Sequence, residues 1–232
     1  MPTLFLLLLM LGCRFVATPL YAQKQSSPSA QAPKNNSENR QNQAQVAQTN
    51  TLNPTYVGIP SEVLNYYAAA QQKQNWCWAA CIQMLFNYYG VDIDQASIVK
   101  RTYGQNYRGD APDVAATYEA IYLNLNNWSI DAQGKKYVVK AQMGYGSPPP
   151  DEVIDELKQG RPVLVGYRTG EATGHAVLIT ALSYVDKTIG SVVVRDPYPT
   201  AQNIQNYGRV EYDAASLMRQ VEVYWFVRVY PQ

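Results

Sequence analysis

The sequence predicts an α+β fold, with helices in the N-terminal half and an antiparallel sheet in the C-terminal half. Between Trp76 and Leu125 the apolar residues recur at helical spacing between stop and start signals, whereas from Tyr137 onward they gather in short β-branched and aromatic runs. Helices first and strands afterwards is the order of an α+β chain.

Taken in turn, Trp76 to Tyr89 carries polarity only at Gln83 and Asn87, four residues apart on one narrow stripe, so a helix here is buried nearly all round. Gly90 stops it, and Asp94 sits at a capping position before a second helix, Gln95 to Tyr103. A third helix is predicted from Pro112 to Leu125, with Pro112 and Asp113 in its first turn. Strands are predicted at Tyr137–Ala141, Val163–Tyr167, His175–Tyr184, Ser191–Arg195 and Val221–Val229. Pro148-Pro149-Pro150 opens a short helix, Asp151 to Gln159, that Gly160 closes, and Asp213 to Arg219 is a further helix candidate.

Two segments precede this folded part. The apolar run Leu4 to Gly12 is short for a bilayer span, and Leu20-Tyr21-Ala22 suits a cleavage site, so residues 1–22 read as a secretory signal peptide cut after Ala22. A short membrane anchor and a lipoprotein modified at Cys13 are the rivals. Residues 23–53 are Gln, Asn, Ser, Ala and Pro with no aromatic residue, too little apolar surface to offset chain entropy, and read as a disordered spacer. The folded domain is then 54–232, with a secreted or periplasmic location and no membrane span after cleavage.

Lys plus Arg total 19 against 18 Asp plus Glu, and removing Arg14 with the leader leaves 18 of each sign. Zero net charge argues against a nucleic-acid partner. One histidine and three cysteines, none in a C-x-x-C pair, give no conventional zinc site, so neither metal nor cofactor is expected. Cys77 and Cys81 cannot pair with each other on one helix, where their Cα–Cβ vectors run parallel.

An exported chain that keeps an unpaired cysteine needs a reason for it. Cys77 lies in the first turn of the buried helix, where free backbone N–H groups and the helix dipole favour a thiolate. A nucleophilic thiol needs a base, and the sole histidine, His175, stands at a loop-to-strand junction after Gly170-Glu171-Ala172-Thr173-Gly174. Asp196 ends the next strand, within a few residues of facing His175 if the two strands form a hairpin turning inside Ser183 to Gly190. Gln71, Gln72 and Gln74 precede the helix, any of them able to add a side-chain N–H to that of Cys77 as an oxyanion donor.

Gln71 six before Cys77, Cys77-Trp78-Ala79, Gly174-His175-Ala176-Val177 and Asp196-Pro197, in that order, resemble the papain-like cysteine peptidases. The likeness is to the bacterial branch with bacteriocin leader-processing peptidases and cysteine-protease effectors secreted into plant hosts, and it spans Thr55 to Tyr230. It implies a papain-like fold with the cleft between the two halves, Cys77 as nucleophile, His175 as general base and then acid, Asp196 as the orienting residue and Gln71 as oxyanion donor. The implied substrate is a peptide or protein, the implied enzyme a monomeric thiol protease. An Asp in place of papain's Asn, no disulfides and no folded pro-region favour the bacterial branch over a zymogen mechanism. With no transporter domain in the 232 residues, a dedicated leader-peptide role is not expected. The same residues leave two alternatives open: a thiol acyltransferase or transglutaminase, because fold and triad do not choose the acceptor, and a catalytically silent peptide-binding module.

Other polar and aromatic residues read as structural. Cys81 belongs to the core, Trp76 and Trp78 pack the helix start, and Asp92 and Asp94 cap rather than bind calcium. Arg101 and Lys135-Lys136 read as solvated charges.

Overall fold

The computed structural model describes residues 53–129, 131–170 and 174–232. The signal-peptide reading of 1–22 and all but the last residue of the 23–53 spacer therefore lie outside the described residues. Asn50–Gln232 forms one compact unit.

Its elements run β1 (Thr55–Gly58), α1 (Ser61–Tyr67), α2 (Cys77–Tyr88), α3 (Gln95–Tyr103), α4 (Tyr118–Leu125), β2 (Tyr137–Tyr145), α5 (Pro150–Lys158), β3 (Val163–Arg168), β4 (Gly174–Val185), β5 (Thr188–Arg195), α6 (Ala201–Gln205), β6 (Arg209–Asp213), α7 (Ala214–Met218) and β7 (Val221–Pro231). This is the expected α+β arrangement, a helical first half followed by an antiparallel sheet. The strands pair in the order β2-β7-β3-β4-β5-β6, and β1 joins β4 where β3 has ended. Alternation along each strand sends residues to two separate cores. Leu164, Leu178, Val223 and Trp225 pack toward α2, whereas Val163, Val165, Ile179 and Val194 pack under α5 and α7.

Helix α2 is buried on almost every side, as its narrow polar stripe requires: Ala79, Ala80, Ile82, Leu85 and Phe86 are fully enclosed. The stripe itself is used, since Gln83 accepts from Gln95 Nε2 at 2.9 Å and Asn87 accepts from Ile93 N–H at 3.2 Å. Gly90 ends the helix at a positive φ, and Asp94 caps α3 by accepting from Ser97 N–H at 2.7 Å.

The third helix corrects the sequence expectation. It begins at Tyr118, capped by Thr117, which accepts from Ala120 N–H at 3.2 Å, and residues 111–117 are not helical. Their carbonyls go instead to the start of α2: Ala111 O accepts from Lys73 Nζ at 2.7 Å, Pro112 O from Trp76 Nε1 at 2.9 Å and Val114 O from Trp78 Nε1 at 3.2 Å. Tertiary donors outbid the local helix signal. Four short elements, β1, α1, α6 and β6, had no separate sequence signal. Arg101 stays exposed, as expected of a solvated charge, and its guanidinium also stands 4.1 Å from the Trp128 ring centroid and donates to Asn127 O.

Candidate active site

Cys77 is the first residue of α2, so its backbone N–H has no acceptor within the helix. Lys73, Trp76 and Trp78 tether this end of the helix to the 111–117 strap, and Cys81, one turn on, donates to Ala176 O at 3.3 Å. That bond joins the helix of Cys77 to the strand of His175. Burial, then the nearby Cys77 and Asp196, push the Cys81 thiol well above its ordinary pKa, which keeps it a neutral core group as its sequence context implies.

His175 sits at the start of β4 opposite Tyr167 on β3. The β4–β5 hairpin turns through Asp186 and Lys187, both at positive φ, inside the span expected for the turn. Its register pairs Leu178 with Arg195, which brings Asp196 back beside the histidine. His175 Nε2 lies 2.7 Å from Asp196 Oδ1, and that oxygen also accepts from Tyr198 N–H at 2.8 Å. With Nε2 taken, Nδ1 is the nitrogen left to face Cys77. The rings of Tyr167 and Tyr198 stand edge-on to the imidazole, with centroids at 5.6 and 6.3 Å. Neither tyrosine was a sequence candidate; Tyr198 lies only two residues after Asp196, but that spacing alone gives no side-chain direction.

Burial acts to lower the proton affinity of His175. Hydrogen bonds to Asp196 and Cys77, with the charges of the same two groups, outweigh it and push the imidazole up to about 9. Asp196 is itself held from behind. Its N–H donates to Gly208 O at 2.8 Å, and Arg195 Nη1 and Nη2 reach Tyr207 O and Ser61 O, each at 2.9 Å. Gly208 has φ +73°, and a Cβ there would come within 2.6 Å of Asp196 O, so only glycine fits.

Gln71 is buried and lines the same cleft as Cys77, His175 and Asp196, while Gln72 is exposed. Gln71 N–H donates to Pro197 O at 2.8 Å, tying the two loops together. Its amide nitrogen donates to Lys73 O at 3.0 Å and Gln74 O at 2.6 Å, so both side-chain hydrogens are committed in this state. Two hollows flank the cysteine. One, of about 440 Å³, is polar and holds Gln71, Asn75, Asp196 and Tyr198; the other, of about 260 Å³, is walled by Trp78, Ile121, Ala176 and Trp225. Among the described residues, no cluster of three or more His, Cys, Asp or Glu side chains is placed to hold a metal ion. The chemistry such an arrangement can perform is proton transfer and nucleophilic attack at a thiol, with the imidazole between sulfur and carboxylate.

Among solved structures, the chain is similar to a double glycine motif protease from an AMS/PCAT transporter in complex with its leader peptide, with 13% identity over 71% of this chain and 91% of that one and a TM-score of 0.43. It is similar to the ragweed pollen allergen Amb a 11, a cysteine protease in its proform, with 14% identity over 77% and 66% of the two chains and a TM-score of 0.47. It is also similar to UfSP from C. elegans, with 17% identity over 72% and 32% and a TM-score of 0.39. No curated protein matches. The family model described as Peptidase_C39 like family matches residues 63–225, from α1 through the last long strand and across every element that carries a cleft residue. On that match the chain belongs to the Peptidase_C39 like family and is a cysteine-type peptidase.

Proposed function

We propose that this peptidase is exported and hydrolyses peptide bonds through a Cys77–His175–Asp196 triad and a thioester intermediate. The observation that supports the triad is the 2.7 Å contact between His175 and Asp196 beside Cys77, with the imidazole held protonated by both partners.

Cys77 sulfur attacks the carbonyl carbon, a C–S bond forms and the carbonyl π electrons move onto oxygen. The Cys77 N–H at the head of α2 stabilises that oxyanion, and Gln71 joins when it exchanges its bond to Lys73 O or Gln74 O for the new charge. As the tetrahedral species collapses, the C–N bond breaks and the leaving amine takes the proton from His175. Water then attacks the thioester, His175 accepts its proton, and the C–S bond breaks to release the acid. Asp196 holds the ring through Nε2, so that Nδ1 serves as acid and base throughout.

The test compares wild type, Cys77→Ala and His175→Ala on a diverse peptide library, with products read by mass spectrometry. Cleavage in wild type alone supports the reading; equal cleavage by Cys77→Ala overturns the triad. Amine incorporation without cleavage would identify an acyltransferase instead. Export rests on the composition of residues 1–53, and it predicts that protein recovered outside the cytoplasm begins at Gln23. We propose that it acts there as a monomer on peptide or protein substrates; sedimentation at working concentration tests the oligomeric state.

A further inference from the structure

We propose that the strap at 111–117 is a latch on the oxyanion site: it holds the 73–76 turn in the state where Gln71 commits its amide hydrogens to that turn, and a peptide seated against Ala115 releases it. This rests on the reading that Gln71 is the oxyanion donor.

Gln71 is set aside rather than poised. Its amide nitrogen donates to carbonyls two and three residues on, Lys73 O at 3.0 Å and Gln74 O at 2.6 Å. Its Oε1 is buried without a partner, so the side chain is only half satisfied where it lies. Leaving costs little. Lys73 O keeps the Trp76 N–H at 3.2 Å, and Gln74 is exposed, so water can take the place of the amide at its carbonyl. A state that Gln71 itself favours so weakly needs another hold.

The strap supplies that hold. Lys73 Nζ donates to Ala111 O at 2.7 Å and stands 4.7 Å from the Trp76 ring centroid. Trp76 Nε1 donates to Pro112 O at 2.9 Å, and Asn75 N–H donates to Asp113 Oδ1 at 2.9 Å. Three successive strap residues thus fasten residues 73, 75 and 76 of the turn. Two residues further on, the same strap meets the space beside the thiol: Ala115 lines both hollows at Cys77, and Ala116 lines the apolar one. A peptide across Cys77 bears on the strap, and the strap bears on the turn. The peptide favours the released state twice, through its contact at Ala115 and through the charge that develops on its carbonyl oxygen, and that differential affinity shifts the balance. The donor is then delivered only when a peptide is in place, an induced fit confined to one side-chain amide.

The experiment compares affinity for a peptide aldehyde with alkylation of Cys77 by iodoacetamide. Cys77 sulfur adds to the aldehyde carbon and the carbonyl electron pair moves onto oxygen, which occupies the oxyanion position; alkylation displaces iodide, forms no oxyanion and so reports changes in the thiol itself. Relative to alkylation, Asp113→Ala and Lys73→Met should each bind the aldehyde roughly threefold or more tighter than wild type, and adding Gln71→Ala should remove the gain. The two substitutions delete opposite charges, so a gain in only one of them overturns the proposal, as does no gain in either or a gain that survives Gln71→Ala. Asp113 is exposed, so its variant does not open the core. Wild type alone gives a second reading: kcat should rise roughly fivefold or more once a peptide is long enough to span both hollows, and a kcat independent of length overturns the latch even if a strap variant does not fold. Gln71→Ala by itself separates the two readings. Unchanged aldehyde affinity discards Gln71 as donor and the latch with it, whereas weakened affinity with inert strap variants discards the latch alone.

Discussion

His175 owes its proton to two neighbours that act against its own burial. Its folded-state pKa, pushed up to about 9, lies above the 6.5 of a free imidazole, so the stabilisation it contributes is complete below about pH 6.5 and is lost as pH rises through about 9. Thermal denaturation of wild type should therefore show Tm falling across that window, and His175→Gln should lack this component. Gln71 makes a sharper residue-scale prediction. Gln71→Ala is expected to lower kcat on the order of 10²-fold with KM little changed, while Gln72→Ala stays near wild type in the same steady-state assay. Equal effects of the two would mean that the buried glutamine serves the loop rather than the oxyanion. Cys77 and His175 were legible in the sequence because each is chemically singular, one a cysteine at a helix start and the other the sole histidine. The state of Gln71 was not legible, because which carbonyls its amide meets is decided by how the loop at 71–76 closes.

At the scale of elements, the strap at 111–117 and the loop behind Asp196 govern the cleft. Trp76→Phe keeps an aromatic side chain but deletes the donor to Pro112 O and part of the buried ring volume, and about 1–3 kcal/mol of stability should be lost in chemical denaturation. Gly208→Ala puts a methyl against the Asp196 carbonyl at a φ unsuited to alanine. It should cost about 1–3 kcal/mol and lower kcat/KM, because the backbone it displaces belongs to the residue that holds His175. Strands β2 to β5 and β7, with α2, α3 and α5, were legible because hydrophobic period and caps agree there. Residues 112–117 were not: Pro-Asp is a sound local start for a helix, but the tryptophan donors that claim its carbonyls lie 36 residues earlier in the chain.

Across the molecule, buried charges join segments distant in sequence. Glu156 on α5 is 5% exposed and holds Arg161 and Arg228, each at 2.5 Å, which fastens the outer helix layer to β7. Glu156→Ala should destabilise the domain by about 3 kcal/mol in equilibrium unfolding, since two guanidinium groups lose their common partner, with the activity of the folded fraction unchanged. The amino-acid sequence by itself determined the α+β class, the order of the main elements, the balance of charge and the identity of the thiol and the imidazole, because period, caps and residue chemistry are local properties. Tertiary structure alone decided the register that sets Asp196 against His175, the strap tied to the start of α2 and the Tyr118–Glu222–Arg168 contact that joins α4, β7 and β3. Each of these is a meeting of side chains and carbonyls far apart in the chain, and the free energy of such a meeting depends on where the rest of the fold carries them.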